Sequence, residues 1–367
     1  MKIAFDAKRF FHNTSGLGNY SRDLVRVLAT EFPKCQYYLL AKNKSERGKD
    51  ILALPNVSFK EISKGFLARQ RQMGVDAQNL RADIFHGLSG ELPLIWNGKA
   101  LKKVVTIHDL IFLRYPQFYS FFDRKIHFWK FKKAAQQADV IIAISEQTKR
   151  DIIKYLNVSE KKIKVVYQGC HKAFKQQLTS KELTAISEKH QLPKRFLLSV
   201  GTIEERKNLL NVIKALGGTD IPLVVVGRKT KYQKEIDKAL AQTKVEAHFL
   251  ENVSMEELAG IYQLADIFIY PSLFEGFGIP VIEALYSGTP VITSNISSMP
   301  EAGGADTTYI NPFNISDIKA KILFLWNNEA ERKRRSEKGL AYVQRFNDEN
   351  IAADLMKVYK EVLLFEY

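Results

Sequence analysis

The chain has 367 residues, 46% of them apolar, too many for one ordinary domain and suited to two cored domains of about 150–200 residues each. No run reaches the roughly 18 consecutive apolar residues of a membrane-spanning helix, Met1 to Asp6 leaves no room for a secretory core, and Cys35 and Cys170 show no metal-ligand spacing, so a reduced, cytoplasmic protein is expected. The net charge of +15 is uneven: residues 1–200 hold 36 Lys and Arg against 17 Asp and Glu, which suits an anionic surface, while no nucleic-acid motif is present.

Lys2 to Asp6 reads as a strand, followed by a loop through Ser15-Gly16-Leu17-Gly18-Asn19-Tyr20 and a helix whose period passes through Leu24, Val27 and Leu28. Such a corner suits a ligand. Gly16-x-Gly18 lacks the third glycine of a dinucleotide fingerprint. Further strands are predicted at 36–41, 57–62, 84–86 and 103–107, the last closed by His108-Asp109. A histidine at the C-terminal end of a buried strand lies on the ligand side of a parallel sheet. His86 and His12 are secondary candidates.

Residues 112–133, from Phe112 to Lys133, hold nine aromatic residues and six Lys or Arg among 22. A helix of that composition either lies in an anionic membrane interface or packs its aromatics inward and leaves its cations in solvent. A strand at 139–143 precedes Ser145, which reads as the N-cap of a helix running to Leu156. After a strand at 164–167, the polar, lysine-rich residues 171–194 suit a linker with a short helix.

The second half opens on a strand at 196–200 and the turn Gly201-Thr202-Ile203-Glu204-Glu205-Arg206-Lys207-Asn208, which places two cations at a strand end. A strand at 222–226 ends in Gly227, and another lies at 248–250. Ser254 with Glu257 forms a capping box. Ile267 to Tyr270 is then a buried strand that Pro271 stops. Gly276 and Gly278 free the following turn from β-carbons, and Pro280 stands at the first position of a helix. Glu275 lies in that turn, and Glu283 in the first turn or so of the helix. Helix-start N–H groups suit a phosphate, while carboxylates suit hydroxyls, so the corner fits a sugar nucleotide. Residues 251–300 contain no Lys or Arg, so the cations must come from elsewhere, and Arg206 and Lys207 supply them. The competing reading is a structural corner with solvated glutamates. After Gly288 come a strand at 290–293, the loop Ser297-Ser298-Met299-Pro300-Glu301, and helices at 317–326, 329–344 and 351–364.

Glu275 and Glu283, seven residues between them inside F-E-G-F-G-I-P-V-I-E-A, resemble the signature of the retaining, GT-B-fold glycosyltransferases of family 4. The resemblance extends over nearly the whole chain. Together with S-G-L-G-N-Y, I-H-D-L and G-T-I-E-E-R-K-N it points to the mannosyltransferase-like branch that serves surface polysaccharides. It implies an α/β protein of two Rossmann-like, doubly wound domains facing across a cleft. An acceptor-side domain over 1–175, with a C-terminal helix of about 346–367 packed back on it, would precede a nucleotide-sugar domain over 190–345.

By the same resemblance, Gly16 and Gly18 lie over the donor phosphates and His108 contacts the sugar near its reacting end. Arg206 and Lys207 hold the diphosphate beside Gly201, Thr202 and Asn208. Many relatives carry an arginine where this chain has Thr202, which leaves the load on Arg206. Gly227 borders the base, and Gly276, Phe277, Gly278 and Ile279 lie along the donor. Glu283 binds the ribose and Glu275 the sugar hydroxyls, neither as a nucleophile. The chain contains no Asp-x-Asp, so no metal is expected. The expected partners are GDP-mannose, or a UDP-hexose as rival donor, a glycan or lipid-linked acceptor, and an anionic membrane surface. An epimerase or phosphorylase of the same fold, and a non-catalytic membrane binder, are the remaining alternatives.

Overall fold

The computed structural model describes residues 1–14, 16–63, 65, 67–97 and 101–364, so Ser15 and residues 365–367 of the expected C-terminal helix lie outside the described residues. The chain forms two compact units, one of Met1–Gly169 joined by the chain from Phe346 onward, the other of Cys170–Arg345.

The first unit is built on β1 (Lys2–Asp6), β2 (Gln36–Ala41), β3 (Val57–Glu61), β4 (Ile84–Gly87), β5 (Lys102–Ile107), β6 (Val140–Ala143) and β7 (Ile163–Val165). They form one parallel sheet in the order β3-β2-β1-β4-β5-β6-β7. Side chains alternate along a strand, so the two faces carry separate cores. Ile3 and Phe5 belong to one, and Ala4, with Phe85, Val105 and Ile141, to the other. Both faces are covered, which explains why β6 reads as an unbroken apolar run. The C-terminal helix Asp348–Leu364 completes the first core with Leu355, Met356, Tyr359 and Val362, against Leu24, Val25 and Leu28 of the helix Gly16–Glu31. Arg26 reaches from one helix to Asp348 of the other at 2.9 Å.

Two expectations change here. The glycines of Gly16-x-Gly18 lie in the first turn of Gly16–Glu31 rather than in a loop before it. Asn13 Oδ1 accepts from the Gly18 N–H at 3.1 Å, and a β-carbon on Gly18 would stand 2.1 Å from the Asn13 carbonyl oxygen. Residues 112–133 do not form one helix. Pro116 divides the short helix Ile111–Arg114 from Phe121–Gln137, which Ser120 caps by accepting from the Asp123 N–H.

The second unit holds β8 (Leu197–Val200), β9 (Leu223–Val226), β10 (Ala247–Leu250), β11 (Ile267–Tyr270), β12 (Val291–Ser294) and β13 (Thr308–Ile310). These are parallel in the order β10-β9-β8-β11-β12-β13. Strand order reverses between β8 and β11, as it does between β1 and β4 in the first unit. A doubly wound sheet opens its ligand crevice at such a point, beyond the C-terminal strand ends. Residues 171–194, read as a linker, lie in this unit from Cys170 on. They carry the helix Ser180–His190 behind a capping box of Thr179 and Glu182. Its Ile186 lies so near Gly260 of the helix Met255–Leu264 that a β-carbon there would meet it at 2.4 Å. Among the described residues, no helix is long and apolar enough to cross a membrane.

Candidate active site

At the switch point of the second unit, β11 delivers Tyr270, and the turn 271–278 leads into the helix Ile279–Tyr286. Pro280 is the second helical residue rather than the first. Gly278 precedes the helix at φ +125°, a backbone region that favours glycine, and a β-carbon there would meet Met299 Cε at 2.8 Å. Among the described residues no side chain caps this helix start.

Four donors converge on Glu275 Oε1: Arg206 Nη1, Lys207 Nζ and Ser272 Oγ, each at 2.6 Å, and the Tyr270 hydroxyl at 2.9 Å. Among the described residues no protein donor reaches Oε2. Burial alone would raise this carboxyl. The Lys207 and Arg206 charges and the hydrogen bonds from Lys207 and Ser272 outweigh burial and hold it at about 2. Burial draws the Lys207 ammonium below its usual value, against the pull of the Glu275 carboxylate. Lys207 also lies 4.8 Å from the centre of the Tyr270 ring. Arg206 continues to Glu204 and to the Phe274 carbonyl, at 2.6 and 2.7 Å.

The turn is supported from behind. Ser297 and Ser298 each donate to the Glu275 carbonyl at 2.9 Å, and Ser298 also reaches the Phe277 carbonyl at 2.7 Å. Both Asn208 amide hydrogens go to carbonyls, of Pro271 at 3.2 Å and Pro312 at 2.8 Å, so this side chain ties the Arg206-Lys207 turn to the Glu275 turn. Gly201 and Gly227 end β8 and β9 in near contact, where a β-carbon on Gly227 would fall 1.9 Å from the Gly201 carbonyl oxygen. Thr202 follows, partly exposed. The Phe277 ring is buried, while Gly276 and Ile279 are partly exposed. Glu283 accepts from the Tyr262 hydroxyl at 3.2 Å, and burial lifts its carboxyl to about 7. The sequence reading gave no site role to Tyr262, Tyr270, Ser272 or the Ser297-Ser298 pair, the tyrosines because they end or fill apolar runs.

In the first unit, His108 follows β5 and is held from both sides. Its Nε2 donates to the Leu88 carbonyl at 3.0 Å, and its Nδ1 lies 3.2 Å from the Gln168 amide nitrogen, which donates to it. The ring is therefore the neutral Nε2–H tautomer, with the Tyr20 ring edge-on at 4.4 Å. Burial lowers its pKa to about 4. Neither ring nitrogen is left for a ligand in this arrangement. His86 is fully buried between the Tyr359 hydroxyl at 2.7 Å and the Thr106 hydroxyl at 2.8 Å, and its pKa is lowered to about 3 by burial. His12 meets the Asn43 carbonyl at 3.1 Å. A β-carbon on Gly16 would meet no atom within 4 Å, unlike one on Gly18. The sequence reading missed one more cluster: Arg69 bridges Asp6, at the end of β1, and Glu91, at 2.7 and 2.6 Å.

Two parallel, doubly wound units, each with a switch point in its strand order, are the architecture of the GT-B-fold glycosyltransferases. The family model described as Glycosyltransferase Family 4 matches residues 14–173, and that described as Glycosyl transferases group 1 matches residues 181–342. The chain belongs to this family and is a hexosyltransferase. It is 25% identical to O-antigen chain mannosyltransferase B of Escherichia coli over 98% of this chain and 100% of that protein. It is 30% identical to O-antigen chain mannosyltransferase RfbU of Salmonella typhimurium over 60% of this chain and 58% of that protein. Anabaena HepE, solved in complex with UDP and glucose, shares the fold with a TM-score of 0.76 at 16% identity, over 98% of this chain and 100% of that one.

Proposed function

We propose that the protein transfers mannose from GDP-mannose, with retention of configuration, to a glycan or lipid-linked oligosaccharide of a surface polysaccharide, at the cytoplasmic face of the membrane. The observation that carries this reading is the convergence of Arg206 and Lys207 on one oxygen of Glu275, beside a helix start that, among the described residues, no side chain caps. These cations and helix N–H groups suit a diphosphate, and they oppose the negative charge that grows on it as the sugar–phosphate bond breaks. Glu275 Oε1 is held by the protein, which leaves Oε2 to accept from a sugar hydroxyl, and Glu283 suits the ribose. The acceptor oxygen then attacks the anomeric carbon from the face the diphosphate leaves. No metal is needed in this scheme, because the cations are side chains. Support for mannose comes from the two O-antigen mannosyltransferases.

Thermal stability of the purified protein against GDP-mannose, GDP, UDP-glucose and UDP, each with and without EDTA, tests the proposal. A ligand at 100 times its Kd adds about 2.7 kcal/mol. Stabilisation by GDP-mannose above the others, unchanged by EDTA, is expected. Preference for UDP-sugars overturns the donor, loss with EDTA overturns the metal-free scheme, and indifference to every nucleotide overturns the site.

A further inference from the structure

The helix Phe121–Gln137 has two faces of unusual character. Inward, Phe128 and Phe131 pack against the core that holds Ala134, Ala135 and Phe112, and Lys130 reaches Glu91 at 3.4 Å. Outward, Phe122 is 76% exposed, Phe121 55%, Ile126 54% and Trp129 54%. At about 100° per residue, Phe122, Ile126 and Trp129 fall within roughly 60° of one another around the helix axis. Lys125, Lys132 and Lys133 share that side. Lys125 lies 4.4 Å from the centre of the Phe121 ring, and Lys132 5.4 Å from that of Phe128. Five residues of the helix are Lys or Arg, and its single acid, Asp123, is tied to the Ser120 cap at 2.6 Å. A purely solvated face would carry the cations without the aromatics. A protein-docking face would normally shed lysines from its centre. Large aromatics flanked by lysines on long apolar stems, on a helix whose one acid is held at its cap, match the boundary between acyl chains and anionic headgroups.

We propose that this face, centred on Phe122, Ile126 and Trp129 and flanked by Lys125, Lys132 and Lys133, seats the first unit on an anionic lipid bilayer. The aromatics enter the headgroup boundary, and the lysines meet lipid phosphates. The helix lies along the surface, being too short and too charged to cross it. The proposal stands on the geometry of the first unit and not on the donor assigned above.

Co-sedimentation of the full-length protein with vesicles of phosphatidylcholine containing 30% phosphatidylglycerol (about one anionic lipid in three, enough for polybasic attraction), and with phosphatidylcholine alone, is the test. Binding is expected only to the anionic vesicles and weaker in high salt. The double variants Phe122→Ser with Trp129→Ser, and Lys125→Glu with Lys133→Glu, should each bind at least about tenfold more weakly at an unchanged Tm. Phe313→Ser, at a 66% exposed phenylalanine of the second unit, should bind like the wild type. Brominated lipid should quench wild-type tryptophan fluorescence, and Trp129→Phe should remove that quenching, which tests the face without the double variants. Equal binding by wild type and variants overturns the proposal, as does absence of quenching. A dimer that the Phe122–Trp129 variant dissociates, without any vesicle binding, would assign the face to a second copy instead.

Discussion

Glu283 sits within the helix Ile279–Tyr286, and the Tyr262 hydroxyl at 3.2 Å is its one side-chain donor among the described residues. Its carboxyl is raised from 4.5 to about 7 by burial. Between those pH values the unfolded chain ionises Glu283 while the folded chain keeps it protonated, so its burial costs stability increasingly as pH rises through that window, and by a constant amount above it. Glu283→Gln should leave Tm unchanged near pH 4.5 and raise it at pH 8, by on the order of 1–3 kcal/mol in stability. The same change should raise the donor KM. In the wild type the donor KM should rise as pH falls through 7, because a protonated carboxyl is a weaker acceptor for hydroxyls. Thermal melts and donor titrations at several pH values check both, and an unchanged Tm at pH 8 refutes the stability argument. The carboxylates and cations were legible as residue types at set spacings. Their supports were not. Leu88 and Gln168 fix His108 from 20 and 60 residues away, and no local pattern announces such partners.

Most strands of both sheets were legible because burial on both faces makes them short apolar runs between glycines, prolines and polar turns, while the edge strands β3 and β10 are only half-buried. β13, Thr308–Ile310, escaped because three residues with a threonine at the head form no such run. The start of Gly16–Glu31 escaped because glycine disfavours helix interiors. Crowding at Gly18 overrides that preference, since only a residue without a β-carbon fits beside the Asn13 carbonyl. The two kinds of glycine make a differential prediction. Gly227→Ala should force β8 and β9 apart at their ends and cost at least about 2 kcal/mol, as overpacking does. Gly16→Ala meets nothing within 4 Å and, in a helix, should hold Tm or raise it by up to about 1 kcal/mol in stability. A loss of turnover in Gly16→Ala at preserved Tm would mark a place where a ligand approaches the backbone. Melting curves with initial rates for the two variants decide this, and equal destabilisation by both would refute the packing argument.

Across the whole molecule, the candidate donor groups Arg206, Lys207, Glu275 and Glu283 all belong to the unit Cys170–Arg345, whose core runs from Leu197 to Leu325. The two cores on the faces of the first sheet draw only on the other unit, closed by Tyr359 from the C-terminal helix. A chain with separate cores need not unfold in one step. Calorimetry should resolve two transitions, and a nucleoside diphosphate should raise one much more than the other, since binding stabilises the part that forms the site. Gly227→Ala should lower the ligand-sensitive transition. Tyr359→Phe, which leaves buried His86 Nδ1 without its partner at 2.7 Å, should lower the other by about 1–3 kcal/mol. The assignment rests on that crossed pattern: each variant must move one transition and spare its neighbour. A single transition that ligand and both variants shift together would mean the units unfold as one cooperative body, and the division of cores would carry no thermodynamic weight.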